Sequence, residues 1–154
     1  MARAISPCIF CQIAGSSNST PLLHSVRSLD DKVVAFKDIN PSAFRHYLVV
    51  PVEHIPTVND LQRRNEDYTL GKVPFGKSYD KCGETLLRRD APQSNQYRFG
   101  FHQPPFNHLH LHCFALPFIP RWKQLKYMSL GPLGGFIEAE KLLEKIKPLS
   151  PIPP

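Results

Sequence analysis

The chain has no long apolar run and no apolar region near its start. Its 154 residues contain no stretch of the eighteen or more apolar residues that a membrane-spanning helix needs, so we expect no membrane association. The first seven residues lack the apolar core of a secretory leader. We therefore expect an intracellular protein, most simply a cytoplasmic one, with the peroxisome and the nucleus as alternatives.

Internal repeats and low-complexity linkers are also absent, and the length is that of one domain. Hydrophobic residues make up 42% of the chain, which is enough to build a core. We expect a single domain over residues 1–154, in which segments 1–6 and 148–154 form flexible tails.

Acidic residues are outnumbered: 13 Asp and Glu stand against 19 Lys and Arg, and the net charge is +6. This excess favours an anionic ligand. The basic residues are dispersed, however, and the sequence contains no basic repeat with interleaved aromatic residues, no zinc-finger pattern and no RNA-recognition signature. We expect a small anion such as a nucleotide phosphate as the partner, and no large nucleic acid.

Only four cysteines occur, and without a sign of secretion they are not expected to form disulfides. Cys8 and Cys11 form a C-x-x-C pair, which in an intracellular protein is typical of half a metal site or of a redox pair. Cys82 and Cys113 stand alone and are not candidates for metal binding.

Three histidines alternate with leucines in the segment His108-Leu109-His110-Leu111-His112. In a β-strand successive side chains point to opposite faces, so this spacing predicts one strand with three imidazoles on one face and leucines on the core face. A purely structural strand is the plain alternative. Imidazoles act as nucleophile, acid, base or metal ligand near neutral pH, so three of them in one space indicate a reaction centre or a metal site.

The remaining patterns predict an α+β domain with an antiparallel sheet of about five strands and two main helices. A short helix or turn is expected after Pro7, and the segment 121–127 is expected to be irregular or a short strand. Strands are predicted over 22–26, 32–36, 47–51, 96–102 and 108–114, and helices over 57–68, 81–89 and 136–147.

The pattern His-apolar-His-apolar-His-apolar-apolar at 108–114 resembles the motif of the histidine-triad superfamily. Segments 8–13, 36–41 and 46–55 resemble other motifs of that superfamily. Segments 90–94, 98–106 and 120–123 are similar to the plant members of its nucleotide-binding (Hint) branch, which act on adenosine 5'-phosphosulfate. The resemblance implies the corresponding α+β fold and an adenine nucleotide as substrate.

The same resemblance implies a catalytic role for each histidine of the triad. His110 would attack the α-phosphorus and form a nucleotidyl-histidine intermediate, which water or phosphate would then resolve. His112 would bind a phosphate oxygen and protonate the leaving group, and His108 is the third candidate catalytic histidine. The expected products from adenosine 5'-phosphosulfate are AMP and sulfate, or ADP by phosphorolysis, and nucleoside phosphoramidates are a further substrate class.

The resemblance also assigns residues to nucleotide binding. Asp38 matches the carboxylate that holds the ribose hydroxyls, although it could simply cap the turn that follows it. Phe36 and Ile39 would line the base pocket, and as plain core residues they would look the same in sequence. His24 and His46 have no assigned role.

Four residues match the zinc ligands of the zinc-containing members: Cys8, Cys11, His54 and His108. Two thiolates and two imidazoles make a closed tetrahedral structural site. The rival interpretation is that the cysteines are reduced packing thiols and that His108 only orients His110. No organic cofactor is expected.

The chain departs from the family pattern in two places. Asn107 directly precedes His108, so a phosphate-binding serine is missing, and Asn107 or His102 would partly replace it. Segment 71–84 contains three glycines and a proline, which oppose the long helix that forms part of the family's homodimer interface. The departure in segment 71–84 puts dimerisation in question. The missing serine leaves two competing functions: a nucleotide-binding protein with impaired catalysis, and a zinc-stabilised interaction module.

Overall fold

The computed structural model describes residues 8–15, 20–24, 33–51, 54–55, 80–102, 108–128 and 135–146. The predicted helix over 57–68, both predicted tails and most of segment 71–84 lie outside the described residues, so the question of dimerisation stays open. None of the described helices is long and apolar enough to span a membrane.

One antiparallel sheet forms the centre of the fold. Its strands are β1 (Leu22–His24), β2 (Val33–Lys37), β3 (Ala43–Pro51), β4 (Tyr97–His102), β5 (Leu111–Phe118) and β6 (Phe136–Glu138). Their spatial order is β1-β2-β3-β5-β4-β6. The predicted α+β class with an antiparallel sheet is confirmed, and a sixth strand joins the five that were expected.

The helices are α1 (Ile9–Ala14), α2 (Asp80–Asp90) and α3 (Ala139–Ile146), with a 3-10 helix over Arg121–Tyr127. The helices expected after Pro7 and over 81–89 are confirmed. The prediction of an irregular segment or a strand at 121–127 was wrong. The helix predicted over 136–147 begins only at Ala139, because the three preceding residues pair with β4 as β6.

The surroundings of Gly83 explain why the end of segment 71–84 is helical despite its glycines. We expected its glycines to oppose a helix, but residues 80–84 lie within α2, and Gly83 is buried. A Cβ atom at Gly83 would come within 2.5 Å of the Cys113 sulfur. Close packing of α2 on β5 therefore requires glycine here, and this tertiary contact outweighs its low helix propensity.

The two faces of β5 serve different purposes. Leu111, Cys113 and Ala115 face the main core, where they pack with Leu86 and Leu87 of α2. Each fully buried leucine of this kind stabilises the fold by roughly 1.5–3 kcal/mol. The opposite face carries His112 and Phe114, so the strand that positions them is held by the core behind it.

The histidine segment is only partly a strand. β5 begins at Leu111, whereas residues 108–110 precede it and are not strand. The Leu109 N–H donates to the carbonyl oxygen of Ile55 over 2.6 Å instead of joining a strand ladder. The expectation that all three histidines share one strand was therefore wrong, and the ring of His108 is able to point elsewhere.

Candidate active site

All three histidines of the triad are buried: the exposed fractions of His108, His110 and His112 are 1%, 4% and 6%. Burial lowers the pKa of His108, lowers that of His110 to about 4, and lowers that of His112 well below its ordinary value. All three rings are therefore neutral at pH 7. A neutral imidazole has one N–H and one lone pair, and the hydrogen bonds decide which nitrogen carries which.

His110 presents a lone pair at Nε2. Its Nδ1 lies 2.7 Å from the carbonyl oxygen of His108, and a carbonyl only accepts, so Nδ1 carries the hydrogen. The other ring nitrogen, Nε2, is then unprotonated. The ring is packed against Phe10 of α1, with centroids 5.1 Å apart. His110 thus has the tautomer that a nucleophile needs.

His112 has the opposite tautomer, and His46 sets it. The backbone N–H of Ser42 donates to His46 Nδ1 over 3.1 Å, so the hydrogen of His46 is on Nε2. That Nε2–H donates to His112 Nδ1 over 2.8 Å, which leaves the hydrogen of His112 on its Nε2. His112 Nε2 is buried and has no hydrogen-bond partner among the residues that the structure describes. An unsatisfied buried donor costs about 1–3 kcal/mol, which a ligand oxygen would offset.

Sequence reasoning missed His46 and Tyr127. The β3–β5 register places His46 opposite Phe114 and thereby diagonal to His112. The Tyr127 ring lies 5.2 Å from that of His112, and its hydroxyl shares a hydrogen bond with Ser42 Oγ over 3.3 Å. A histidine at the start of the apolar run 47–50 was the only signal in the sequence, and it does not reveal which strand lies alongside.

Asp38 follows β2 at the edge of the site. Its Oδ1 accepts the N–H of Asn40 over 2.8 Å, so the carboxyl does cap the turn, while Oδ2 lies 3.5 Å from His46 Nε2. Burial raises the pKa of Asp38. Asp38, His46 and His112 could together hold a metal ion, but the proton on His46 Nε2 makes them a hydrogen-bonded group.

The two predicted base-pocket residues differ in their surroundings. Phe36 is buried beside Phe10, with ring centroids 5.9 Å apart, in a cluster between α1 and the sheet. Ile39 is fully exposed next to Asp38, so it is not a core residue.

The residues predicted to replace the missing phosphate donor are described only in part. The ring of His102 lies 6.1 Å from that of His112 and 5.6 Å from that of Tyr127, on the active-site face of β4. Asn107 and the side chain of His24 lie outside the described residues.

The four predicted zinc ligands are together. His108 Nε2 donates to the carbonyl oxygen of Pro51 over 3.1 Å, so its Nδ1 holds a lone pair. That Nδ1 lies 3.2 Å from Cys8 Sγ, 3.4 Å from Cys11 Sγ and 3.1 Å from His54 Nδ1. Cys11 Sγ also lies 3.1 Å from His54 Nδ1.

These distances suit one tetrahedral ion. With bonds of about 2.3 Å to sulfur and about 2.0–2.1 Å to nitrogen, zinc would hold such atoms about 3.3–3.8 Å apart. The distances here, 3.1–3.4 Å, are slightly shorter, so a small outward shift of the side chains would admit the ion. All four ligand atoms lie within 4.8 Å of one another. The hydrogen bond from His108 to Pro51 also orients the ring as metal-binding histidines require. The donor set therefore fits zinc. Cys113 is buried in the main core, outside this cluster.

Known proteins and one family model match most of the chain. The family model described as "Scavenger mRNA decapping enzyme C-term binding" matches residues 7–128. The bifunctional adenosine 5'-phosphosulfate phosphorylase/adenylylsulfatase HINT4 of Arabidopsis thaliana is 62% identical over 152 residues, which cover 97% of each chain. The adenosine 5'-monophosphoramidase HINT3 of Mus musculus is 36% identical over 147 residues, covering 92% of this chain and 82% of the relative.

A solved structure agrees with these relatives. The crystal structure of a HIT family hydrolase from Legionella pneumophila matches with a TM-score of 0.58 and 25% identity, over 71% of this chain and 93% of that one. Sequence, fold and the three buried histidines thus lead to one conclusion: the chain belongs to the histidine-triad superfamily.

Proposed function

We propose that this chain is a nucleotidyl hydrolase/transferase that cleaves adenylylated substrates through a covalent intermediate on His110. The observation that carries the proposal is the pair of opposite tautomers. His110 holds a lone pair at Nε2, and His112 holds an N–H at Nε2 that has no partner within the described part of the chain. Their ring centroids are 5.0 Å apart, so one phosphoryl group can contact both.

In the first step His110 Nε2 attacks the α-phosphorus and forms a P–N bond. The bond from phosphorus to the leaving oxygen breaks, and the leaving group departs with the electron pair. The His112 N–H donates a hydrogen bond to the developing negative charge on a phosphate or leaving oxygen. The Nδ1–H of His110 stays on the His108 carbonyl, which stabilises the positive charge on the nucleotidylated ring.

In the second step water attacks phosphorus, the P–N bond breaks, and His110 leaves as a neutral ring once the water proton has been lost to solvent. Inorganic phosphate in place of water gives ADP. Sulfate is a weak base that leaves without a proton, so adenosine 5'-phosphosulfate is the favoured substrate. The plant relative named for this activity supports that choice, and the relatives named monophosphoramidases support nucleoside phosphoramidates as a second class.

The other predicted site residues would bind the ribose, the base and the phosphate of an adenine nucleotide lying along the sheet. Asp38 would hold the ribose hydroxyls through Oδ2, the oxygen that does not cap the turn. Exposed Ile39, with Phe36 behind it, would face the base, while His102 and Asn107 would contact the phosphate. The reduced thiols of such a site suit an intracellular, most simply cytoplasmic, location.

The ligand set Cys8, Cys11, His54 and His108 would hold one structural zinc ion. Such an ion supplies no chemistry to the reaction and fixes the N-terminal helix to the segment before β5. His108 would then act on catalysis through its backbone carbonyl, which accepts the hydrogen bond from His110 Nδ1.

The proposal is tested by mixing the protein with radiolabelled adenosine 5'-phosphosulfate and measuring the sulfate that is released. The reaction is also quenched at early times, and the protein is analysed for an acid-labile AMP adduct. We expect sulfate release and one adduct on His110, and neither in His110→Ala with an unchanged fold. His24→Ala, in edge strand β1, is the matched control. AMP binding without sulfate release would instead favour the nucleotide-binding protein with a shortened phosphate loop. Zinc without AMP binding would favour the interaction module.

A further inference from the structure

The 3-10 helix Arg121–Tyr127 carries positive charge to the edge of the active site. It contains Arg121, Lys123 and Lys126 and no acidic residue. Tyr127 anchors its end on the active-site face, with its ring 5.2 Å from that of His112. The Lys126 ammonium lies 5.6 Å from the centre of the Tyr127 ring, so this charge is held beside the triad.

Lys123 lies three residues before Lys126 in the same 3-10 helix. Its Nζ donates to the carbonyl oxygen of Pro41 over 3.2 Å, in the turn that follows Asp38. Burial raises the pKa of Asp38, and the charges of Lys126 and Lys123 oppose that rise. Burial lowers the pKa of His46, and the same two charges lower it further. The positive charges of both lysines therefore make the electrostatic potential between Asp38 and the triad more positive.

Neither lysine is neutralised by an ion pair with the acidic residues in the part of the chain that the structure describes. Their ammonium groups can therefore still bind an anion, with hydrogen bonds that are stronger because the groups are charged. A mononucleotide bound as proposed uses its only phosphate at His110 and His112 and its ribose at Asp38. That arrangement leaves the two lysines without an anionic ligand.

We propose that Lys123 and Lys126 form a subsite for a second tetrahedral oxyanion, a sulfate or phosphate, carried by the nucleotide. The inference rests on the proposed function and adds a source of specificity to it: nucleotides with two oxyanions bind better than AMP. The second oxyanion has two chemical sources. It is either the leaving group attached to the α-phosphate or a phosphate on the ribose 3'-hydroxyl.

Calorimetric titration separates these sources. The ligands are AMP, the non-cleavable adenosine 5'-(α,β-methylene)diphosphate for the leaving-group side, and adenosine 3',5'-bisphosphate for the ribose side. The proteins are the wild type, the double variant Lys123→Gln/Lys126→Gln, and the control Lys141→Gln/Lys145→Gln, which removes two exposed lysines of α3. All four substitutions are at the protein surface or half-buried, so the fold should persist.

We expect the wild type and the control to bind one of the nucleotides with two oxyanions about tenfold more tightly than AMP. The Lys123→Gln/Lys126→Gln variant should bind it no more than twofold better than AMP, with AMP affinity itself changed less than twofold. The proposal is overturned if the wild type shows no preference or the double variant keeps it. Absence of AMP binding to the wild type would contradict the proposed function itself, which is a distinct result.

Discussion

The Nε2–H of His46 donates to Nδ1 of His112 over 2.8 Å, and the second ring nitrogen of His46 accepts the backbone N–H of Ser42. Burial lowers the pKa of His46 to about 3, so the ring stays neutral throughout the physiological range. One backbone amide therefore determines, through two imidazoles, that the hydrogen of His112 is on Nε2, the nitrogen that would face the substrate in the proposed reaction. His46 is a positioning residue for the proposed reaction.

His46→Phe should lower kcat by about 10–100-fold with little change in KM, because His112 loses the donor that fixes its tautomer. His46→Gln should recover part of that loss, since its amide can still donate to His112 Nδ1. Steady-state kinetics with adenosine 5'-phosphosulfate compares the two. Equal losses in both variants, or a change confined to KM, would show that His46 only fills space.

Removal of one zinc ligand should lower both metal content and stability. Cys11→Ser should purify with much less than one zinc ion per chain and should lose about 2 kcal/mol, or roughly 4–8 °C in Tm for a chain of this size. Elemental analysis and thermal unfolding measure the two effects. Cys113→Ala is the control, because it changes a buried thiol outside the cluster and should retain the metal. A zinc-free wild type would contradict the structural site.

Gly83→Ala should destabilise the protein although alanine is the better helix former. The gain in helix propensity is about 1 kcal/mol, whereas forcing a methyl group against the Cys113 sulfur costs about 1–3 kcal/mol. In a Cys113→Ala background the clash is relieved, and Gly83→Ala should become neutral or stabilising. Urea unfolding of the wild type, the two single variants and the double variant gives the coupling free energy between positions 83 and 113. Additive effects would mean that the helix shifts away from β5.

Asp90 should contribute an acid-dependent part of the stability. Hydrogen bonds from the Arg89 guanidinium, and then from the Tyr47 hydroxyl over 2.5 Å, lower the pKa of Asp90 from 3.8 to about 2. Because the folded-state pKa lies below the unfolded one, this stabilisation is complete above about pH 4 and is lost as the pH falls from about 4 to about 2.

Urea unfolding between pH 2 and pH 7 checks this, with Asp90→Asn as the comparison. The free energy of unfolding of the variant should fall less steeply than that of the wild type between pH 4 and pH 2. Parallel curves would show that the carboxylate is not stabilised in the folded state. Tyr47→Phe, which keeps the buried ring and removes the hydroxyl, should flatten the same region in part.

Local patterns were enough to predict most of the fold. The apolar, β-branched run 47–50 and the segment 96–102 each predicted a strand, and the segment after Pro7 predicted a short helix or turn. The cluster of four candidate zinc ligands could be predicted because the family resemblance supplied His54 and His108. Their spacing along the chain, 43 and 97 residues from Cys11, carries no such information by itself.

What was missed depends on contacts between distant segments. The role of His46 follows from the β3–β5 register, and the place of Gly83 in α2 follows from packing on Cys113. The 3-10 helix was not expected because Arg121–Tyr127 has no regular apolar period, yet Tyr127 completes the active-site face. Residue types and spacing do not show which strands become neighbours, so these relationships emerge only in three dimensions.

His108 faces two directions: its ring lies among the thiols of Cys8 and Cys11, and its carbonyl oxygen holds the nucleophile by Nδ1. If the proposed metal site is occupied, a substitution that loosens its ligands would also disturb the orientation of His110. Natural selection for the proposed activity would then preserve the N-terminal cysteines even in an environment where thermal stability has no adaptive value.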